Sequence, residues 1–237
     1  MLTNKRIVII GGSSGIGFET AKLTLEKGAE VIIASRSEKK LKEAQDTLQG
    51  EVTIFTLDVT DESQVKIFFE KIGQIDHLVI SAAETSSGLF LETEVDAARQ
   101  LFNNKFWGQY LCVKYGVPHL TKDGSITLFS GIVAYKAMVG SAVLGSVNSA
   151  VASLGQTLAL ELAPIRVNVI SPGIIDTPSR SKMSDEARNQ FYEGIASKLP
   201  VERVGRAKDV ASGVYYLIKN HFVTGTVLHI DGGHMLI

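Results

Sequence analysis

The chain has 237 residues, of which 45% are hydrophobic and 21% charged, with 24 Lys and Arg against 25 Asp and Glu. This composition suits one soluble α/β domain, and a net charge of −1 gives no reason to expect nucleic acid or an acidic membrane as a partner. The single cysteine, Cys112, cannot form an internal disulfide, so we expect a reducing, cytoplasmic environment. No apolar run reaches the roughly 20 residues that cross a bilayer, and Met1 leads directly toward the first strand, so we expect neither a membrane span nor a signal peptide.

Short apolar strands alternate with longer helical patterns along the chain. The predicted strands are Arg6–Ile10, Glu30–Ala34, Val52–Thr56, His77–Ile80, Ser125–Phe129, Arg166–Ile170 and Thr226–Ile230. The predicted helices are Gly15–Lys27, Glu38–Leu48, Glu62–Ile72, Val95–Leu120, about Val143–Leu162 and Lys208–Lys219. This alternation predicts parallel βαβ units in one domain covering residues 1–237. The irregular insert Thr177–Val204, with its helical pattern Asp185–Ser197, is predicted to act as a lid.

A glycine-rich turn follows the first predicted strand, with the spacing Gly11-x-x-x-Gly15-x-Gly17. Unpaired N–H groups at the start of the following helix favour a phosphate, and glycine lets a ligand approach the backbone closely. A tight turn without a ligand would show the same glycines, but ligands bind at the carboxyl ends of strands in such sheets. The residues predicted to contact a dinucleotide here are Gly11, Ser13, Ser14, Gly15, Ile16 and Gly17.

The second predicted strand is followed by Ser35 and Arg36 rather than by an acidic residue. A carboxylate at this place would accept hydrogen bonds from the ribose of NAD, whereas a guanidinium can pair with the 2′-phosphate of NADP. The sequence therefore favours NADP(H) over NAD(H), with a solvated loop arginine as the alternative. The five histidines show no metal-ligand spacing, so we expect no metal site.

Taken together, these motifs resemble the short-chain dehydrogenase/reductase family, and the resemblance runs from Val8 to Gly233. Leu57-Asp58-Val59 resembles the segment that contacts adenine, and the stretch from Arg166 to Thr177 resembles the family's R-V-N-x-x-x-P-G-x-x-x-T motif. The resemblance implies a doubly wound, Rossmann-type parallel sheet of about seven strands with helices on both faces. The C-terminal Asp231-Gly232-Gly233 implies a homo-oligomer, a tetramer or a dimer. The further cofactor contacts that the resemblance implies are Asp58, Val59, Ser81, Ala82, Ala83, Pro172, Gly173, Ile175 and Thr177.

The chain departs from the family where the chemistry is expected. Most members use a serine after the fifth strand and a tyrosine and a lysine one turn apart on the next helix. Counted without a gap, those three positions hold Gly131, Leu144 and Asn148, with Ser130 one residue before the serine position. Leu144 also joins an apolar stripe at helical spacing, which favours a core role.

A second departure concerns the family's helix asparagine, which usually supports the lysine through water. Lys105 falls on that position, and a slip of one residue would place Asn104 there. Lysine and asparagine thus look exchanged between positions 105 and 148. We therefore name Lys105 and Ser130 as candidate catalytic residues, with a lysine facing solvent or an interface as the alternative.

Three functions remain open from the sequence. The first is an atypical NADP(H)-dependent oxidoreductase with an unknown small-molecule substrate. The second is a cofactor-binding protein without redox turnover, such as a sensor, a scaffold or a partner subunit. The third is a non-redox enzyme that uses the same pocket. A general acid contributes about 10²–10⁴ in rate, so an ordinary ketone reductase would be handicapped without the tyrosine.

Overall fold

A computed structural model describes residues 1–82, 87–181 and 183–237. Seven strands form one parallel sheet in the order β3-β2-β1-β4-β5-β6-β9, which confirms the predicted doubly wound fold. The order reverses between β1 and β4, where open α/β sheets bind ligands. The strands are β1 (Arg6–Ile10), β2 (Glu30–Ser35), β3 (Val52–Thr56), β4 (Ile75–Ile80), β5 (Leu120–Phe129), β6 (Arg166–Pro172) and β9 (Val227–Ile230).

Alternate residues of each central strand enter different hydrophobic cores on the two faces of the sheet. In β1, Ile7 and Ile9 face one core, and Val8 and Ile10 face the other. Helices cover both faces, so the strands are apolar throughout, as the sequence predicts. The helices are α1 (Gly15–Glu26), α2 (Glu38–Thr47), α3 (Glu62–Ile72), α4 (Val95–Phe102), α5 (Gly108–Gly116), α6 (Ala142–Glu161), α7 (Asp185–Ala196) and α8 (Ala207–Lys219).

The predicted helix Val95–Leu120 is wrong in its interior and at its end. A π-helical turn, Asn103–Trp107, separates α4 from α5, and the chain has already entered β5 at Leu120. A π-turn holds one residue more than an α-turn, and such turns are frequent at functional sites. Apolar periodicity alone does not reveal this extra residue. It turns Lys105 toward the sheet, where the side chain is buried.

The predicted insert Thr177–Val204 lies between the two strands of a second, small sheet. Its two strands, β7 (Ile175–Asp176) and β8 (Gly205–Arg206), pair in parallel, with Ile175 opposite Gly205. Between them lie the short helical turn Pro178–Arg180 and α7, which confirms the predicted helical segment. The role of this insert as a lid stays a prediction.

Helix α6 is long and apolar enough, by length and composition, to cross a membrane, with a mean hydropathy of 1.2 over its most apolar window. In this fold α6 packs against β5 and β6, with Val147, Val151 and Ala152 buried.

Candidate functional site

The carboxyl ends of β1, β4, β5 and β6 meet at one edge of the sheet because these strands are parallel. At this edge the glycine turn needs glycine at two positions. Gly11 has a φ of +86°, and a Cβ atom on it would lie 2.6 Å from the backbone nitrogen of Ala82. A Cβ atom on Gly17 would lie 2.2 Å from the carbonyl oxygen of Gly11. The turn and the end of β4 are thus packed backbone against backbone, so glycine is required at both positions.

The start of the insert lies against the same turn. A Cβ atom on Gly15 would come 3.5 Å from Cβ of Thr177 and 3.8 Å from Pro178 Cδ. A cavity of about 380 Å³ opens beside these residues and is also lined by Ser13 and Ser14. The structure therefore brings together two predicted cofactor segments that are far apart in sequence. The backbone N–H groups of Ile16 and its neighbours begin α1 at this place.

Lys40 also lines this cavity, although the sequence favours a solvated helix face for it. It lies in the first turn of α2, where its backbone N–H donates to the Ser37 hydroxyl. The only sequence signal for Lys40 is its short distance from Arg36 along the chain. Lys40 shares the wall of the cavity with two acidic residues, Glu19 and Glu43.

The end of β2 places Ser35 and Arg36 next to the glycine turn, since the Gly11 N–H donates to the Ala34 carbonyl at 2.7 Å. The Ser35 hydroxyl is buried and forms no hydrogen bond among the described residues. A buried hydroxyl without a partner is costly, so a ligand atom would stabilise it. Arg36 is exposed, as the 2′-phosphate hypothesis requires.

Beyond β3, the structure restricts what Asp58 and Val59 can do. The Asp58 carboxylate accepts hydrogen bonds from the Thr60 N–H at 2.9 Å and from its hydroxyl at 2.8 Å. The Val59 side chain belongs to the hydrophobic core and lies where a Cβ atom on Gly108 would come within 2.6 Å. Only the backbone of Val59 is therefore suited to contact a base.

The end of β4 holds Ser81 and Ala82. The Ser81 hydroxyl donates to the Ile10 carbonyl at 3.1 Å and so ties β4 to β1. The backbone nitrogen of Ala82 would lie 2.6 Å from a Cβ atom on Gly11. Ala83, which the sequence also names as a cofactor contact, lies outside the described residues.

The end of β6 carries Pro172 and Gly173. The Gly173 N–H donates to the Ile230 carbonyl at 3.0 Å. Ile175 is buried in β7, so its backbone rather than its side chain faces possible ligands. The Thr177 hydroxyl lies 2.8 Å from that of Ser179.

Lys105 lies at the same edge, behind the end of β5. Its side chain is 4% exposed, and its amine donates to the Ser130 carbonyl at 3.1 Å. Burial lowers the pKa of Lys105 to about 8. The amine is therefore mostly protonated at neutral pH, but it can lose a proton far more readily than a solvated lysine.

Ser130 connects Lys105 to Asn148. The Ser130 hydroxyl donates to the Asn148 carbonyl at 2.8 Å, while the Ser130 carbonyl accepts from Lys105. The one proton of this hydroxyl is therefore already used in a bond to α6. Ser130 holds the other two residues in place.

The Asn148 side chain fills the space beside Gly131. A Cβ atom on Gly131 would come 2.7 Å from Asn148 Nδ2. Gly131 has an extended backbone with a φ of 170°, so it is space and not conformation that excludes a side chain here. The Asn148 amide oxygen is buried and forms no hydrogen bond among the described residues. The site thus offers one unpaired acceptor close to a buried amine.

The core role predicted for Leu144 is wrong. Leu144 is only half-buried, and neither hydrophobic cluster of the described residues includes it, whereas Val147 and Val151 are fully buried. The difference arises because Leu144 lies in the first turn of α6, before the helix reaches the core. The position one helical turn before Asn148 on α6 is therefore occupied by a half-buried apolar side chain without a hydroxyl.

Comparison with known proteins identifies the family of this chain. A family model described as enoyl-(acyl carrier protein) reductase matches residues 11–235. The 3-oxoacyl-[acyl-carrier-protein] reductase FabG of Thermotoga maritima is 34% identical, and the match covers 98% of each chain.

Two solved structures match over nearly the full length. A small-chain dehydrogenase in complex with NADPH has a TM-score of 0.85 and 36% identity, with 98% of this chain and 99% of that chain covered. ElxO with NADP bound has a TM-score of 0.90 and 33% identity, with the same coverage. The chain belongs to the short-chain dehydrogenase/reductase family.

Proposed function

We propose that the protein is an NADP(H)-dependent oxidoreductase in which Lys105 exchanges the proton that a tyrosine exchanges in most of the family. The observation that carries this proposal is the buried Lys105 amine, 3.1 Å from the Ser130 carbonyl at the carboxyl end of β5. A general acid works best with a pKa near the working pH, and burial has brought the pKa of Lys105 to about 8.

The residues at the sheet edge fit a dinucleotide phosphate. The glycine turn lies at the carboxyl end of β1, where helix α1 begins, and the Ser35 hydroxyl at the end of β2 is buried without a partner among the described residues. Arg36, exposed after the end of β2, supplies the positive charge that favours NADP over NAD. When bound, NADP(H) donates or accepts the hydride. The NADPH and NADP complexes of two similar structures support this choice.

The departures from the family pattern support an atypical site. Gly131, Leu144 and Asn148 carry neither the hydroxyl groups nor the ammonium of the usual serine, tyrosine and lysine. Lys105 restores one positive charge to the same cluster from the opposite helix. In the reduction of a carbonyl, the substrate carbon receives the hydride and the substrate oxygen receives the Lys105 proton. Solvent then reprotonates the amine.

Asn148 orients the substrate in this proposal. Its unpaired amide oxygen accepts a hydrogen bond from a donor on the substrate or from the Lys105 ammonium. Ser130 is a positioning residue, because its carbonyl accepts from the Lys105 amine and its hydroxyl donates to the Asn148 backbone carbonyl. The mechanism requires no proton from Leu144.

The experiment combines binding with turnover. We expect purified protein to bind NADPH more tightly than NADH in calorimetry. We expect it to oxidise NADPH in the presence of at least one member of a panel of carbonyls, imines and activated alkenes. Carbonyl compounds come first, because the relative from Thermotoga maritima is named as a 3-oxoacyl reductase. Absence of NADPH binding would refute the proposal outright.

A second candidate is a cofactor-binding protein without turnover. The observation that favours it is that the Lys105 amine already donates to the Ser130 carbonyl and the Ser130 hydroxyl to the Asn148 carbonyl, while Leu144 carries no ionisable group. This function predicts tight NADPH binding with no oxidation across the whole panel. A non-redox enzyme would instead convert a substrate while the NADPH absorbance stays constant.

A further inference from the structure

The side chain of Asn148 carries a buried acceptor that the fold leaves unused. Its oxygen Oδ1 has no hydrogen-bond donor among the residues that the structure describes, and the residue is only 1% exposed. Ser130 cannot supply the donor, because the one proton of its hydroxyl is used in the bond to the Asn148 backbone carbonyl. A buried acceptor without a donor is costly, so a bound molecule that brings a donor to this oxygen would be stabilised.

This acceptor lies beside Gly131, at the carboxyl end of β5. A Cβ atom on Gly131 would lie 3.6 Å from Asn148 Oδ1, and Gly131 itself keeps partial exposure although Ser130 before it is buried. A residue without a side chain therefore stands next to the oxygen on the partly exposed side. A ligand in contact with Gly131 would lie a short distance from Asn148 Oδ1.

Lys105 supplies the complementary group at the same place. Its ammonium has three N–H donors, and the Ser130 carbonyl accepts from one of them at 3.1 Å. Lys105 and Asn148 are thus joined through one residue, so a free donor and a free acceptor lie close together. A simple ketone offers only acceptors and would leave Asn148 Oδ1 unsatisfied. A ligand with an acceptor and a donor on neighbouring carbons would satisfy both side chains.

We infer that the substrate is an α-hydroxy carbonyl compound, whose carbonyl oxygen accepts from the Lys105 ammonium and whose hydroxyl donates to Asn148 Oδ1. This inference rests on the proposed function and adds a substrate class to it. The carbonyl carbon receives the hydride and the carbonyl oxygen receives the Lys105 proton, so the products are a vicinal diol and NADP⁺. The neighbouring hydroxyl keeps its proton and serves only in recognition.

The experiment compares three ketones that differ only next to the carbonyl: α-hydroxyacetophenone, α-methoxyacetophenone and acetophenone. Calorimetry measures their binding to the NADP⁺-saturated wild-type protein, in which the carbonyl cannot be reduced. Methylation removes the donor and keeps the oxygen, so the methoxy ketone is the matched control. We expect the hydroxy ketone to bind about tenfold more tightly than either of the other two, as one hydrogen bond to a buried acceptor implies.

Two variants assign this preference to Asn148. Asn148→Leu removes the acceptor at nearly the same volume, so the preference for the hydroxy ketone over the methoxy ketone should shrink to within about twofold. Asn189→Leu is the same substitution at an exposed position of α7 and should keep the preference. Circular dichroism shows whether each variant is folded, and the comparison of ketones on the wild type requires no variant.

Three outcomes would overturn this inference. The first is equal affinity of the wild-type protein for the three ketones. The second is an unchanged preference in a folded Asn148→Leu protein. The third is a loss of NADPH affinity in Asn148→Leu without any preference among ketones in the wild type, which would assign the missing donor to the cofactor. A wild-type protein that fails to bind NADPH refutes the proposed function instead.

Discussion

The Asn148 amide lies against Gly131, so that a Cβ atom on Gly131 would come 2.7 Å from Asn148 Nδ2. The Asn148 side chain and the Gly131 backbone therefore share one tightly packed space. A side chain at position 131 requires the buried Asn148 amide to move. Substitutions at positions 131 and 148 are therefore expected to be coupled.

A double-mutant cycle tests this relationship. Gly131→Ala alone should destabilise the protein by roughly 1–3 kcal/mol, because it overpacks a buried site. In the Asn148→Ala background the same substitution should cost at least about 1 kcal/mol less, since the amide no longer fills the space. Urea unfolding of the wild type, the two single variants and the double variant gives the coupling free energy between the two positions. Additivity within about 0.5 kcal/mol would contradict the contact.

Restoring the family residues tests the exchange of lysine and asparagine. Gly131→Ser, Leu144→Tyr and Asn148→Lys together place a second ammonium next to Lys105, and two buried like charges oppose each other. Adding Lys105→Asn removes this conflict. We expect the fourfold variant to reduce a test aldehyde roughly ten times faster than the triple variant, measured as NADPH oxidation. Equal rates would show that Lys105 does not affect the restored site.

Charge reversal at Arg36 tests the choice of cofactor. Arg36→Asp removes the guanidinium and adds a carboxylate that accepts hydrogen bonds from a ribose. Hydrogen bonds to charged groups contribute about 1.5–3 kcal/mol, so NADPH affinity should fall roughly 10- to 100-fold while NADH affinity does not fall. Lys39→Asp is the control, because Lys39 is also exposed and pairs only weakly with Glu43 at 3.9 Å. Equal losses of NADPH affinity in the two variants would show that Arg36 makes no specific contribution to NADPH binding.

The buried His77 should make the free energy of unfolding depend on pH in the acidic range. Its Nδ1 lies 2.9 Å from the Ser125 hydroxyl, and burial lowers the pKa of His77 to about 4 from its ordinary value of 6.5. The unfolded chain therefore binds the proton first, and stability falls as the pH drops from about 6.5 to about 4. The full difference corresponds to about 3 kcal/mol.

Urea unfolding at pH 7 and pH 4.5 measures this effect by difference. The wild-type protein should lose about 2 kcal/mol more between these values than His77→Gln, whatever the absolute stability of the variant. Titration of Asp76 and the other carboxylates contributes to both proteins and cancels to a first approximation. Equal losses of unfolding free energy between pH 7 and pH 4.5 in the two proteins would contradict a buried neutral histidine.

Much of the fold and of the cofactor site could be predicted from the sequence because both depend on local patterns. The apolar strands, the glycine spacing and the helix lengths all follow from side-chain periodicity and backbone freedom. The sequence also shows Ser35 and Arg36 at the end of the second strand, where a site that favours NAD would carry an acidic residue. These features require no knowledge of long-range contacts.

The chemistry of the site could not be predicted in the same way. Lys105 is buried within the π-turn, whose extra residue leaves no trace in an apolar pattern. The contact between Gly131 and Asn148 joins β5 to α6, and only the packing of those elements reveals it. Leu144 fits a helical stripe in sequence, yet its place in the first turn of α6 leaves it half-buried.

The pH dependence of NADPH-driven reduction tests the role of Lys105 most directly. With an active carbonyl substrate from the panel, wild-type kcat/KM should fall about tenfold per pH unit above about pH 8, because reduction needs the protonated amine. Lys105→Met should be slower by about 10²–10⁴ and should lack this decline, with NADPH affinity retained. Lys114→Met, a lysine exposed on α5, should behave like the wild type. A Lys105→Met protein with the wild-type rate and the same decline above pH 8 would contradict the account.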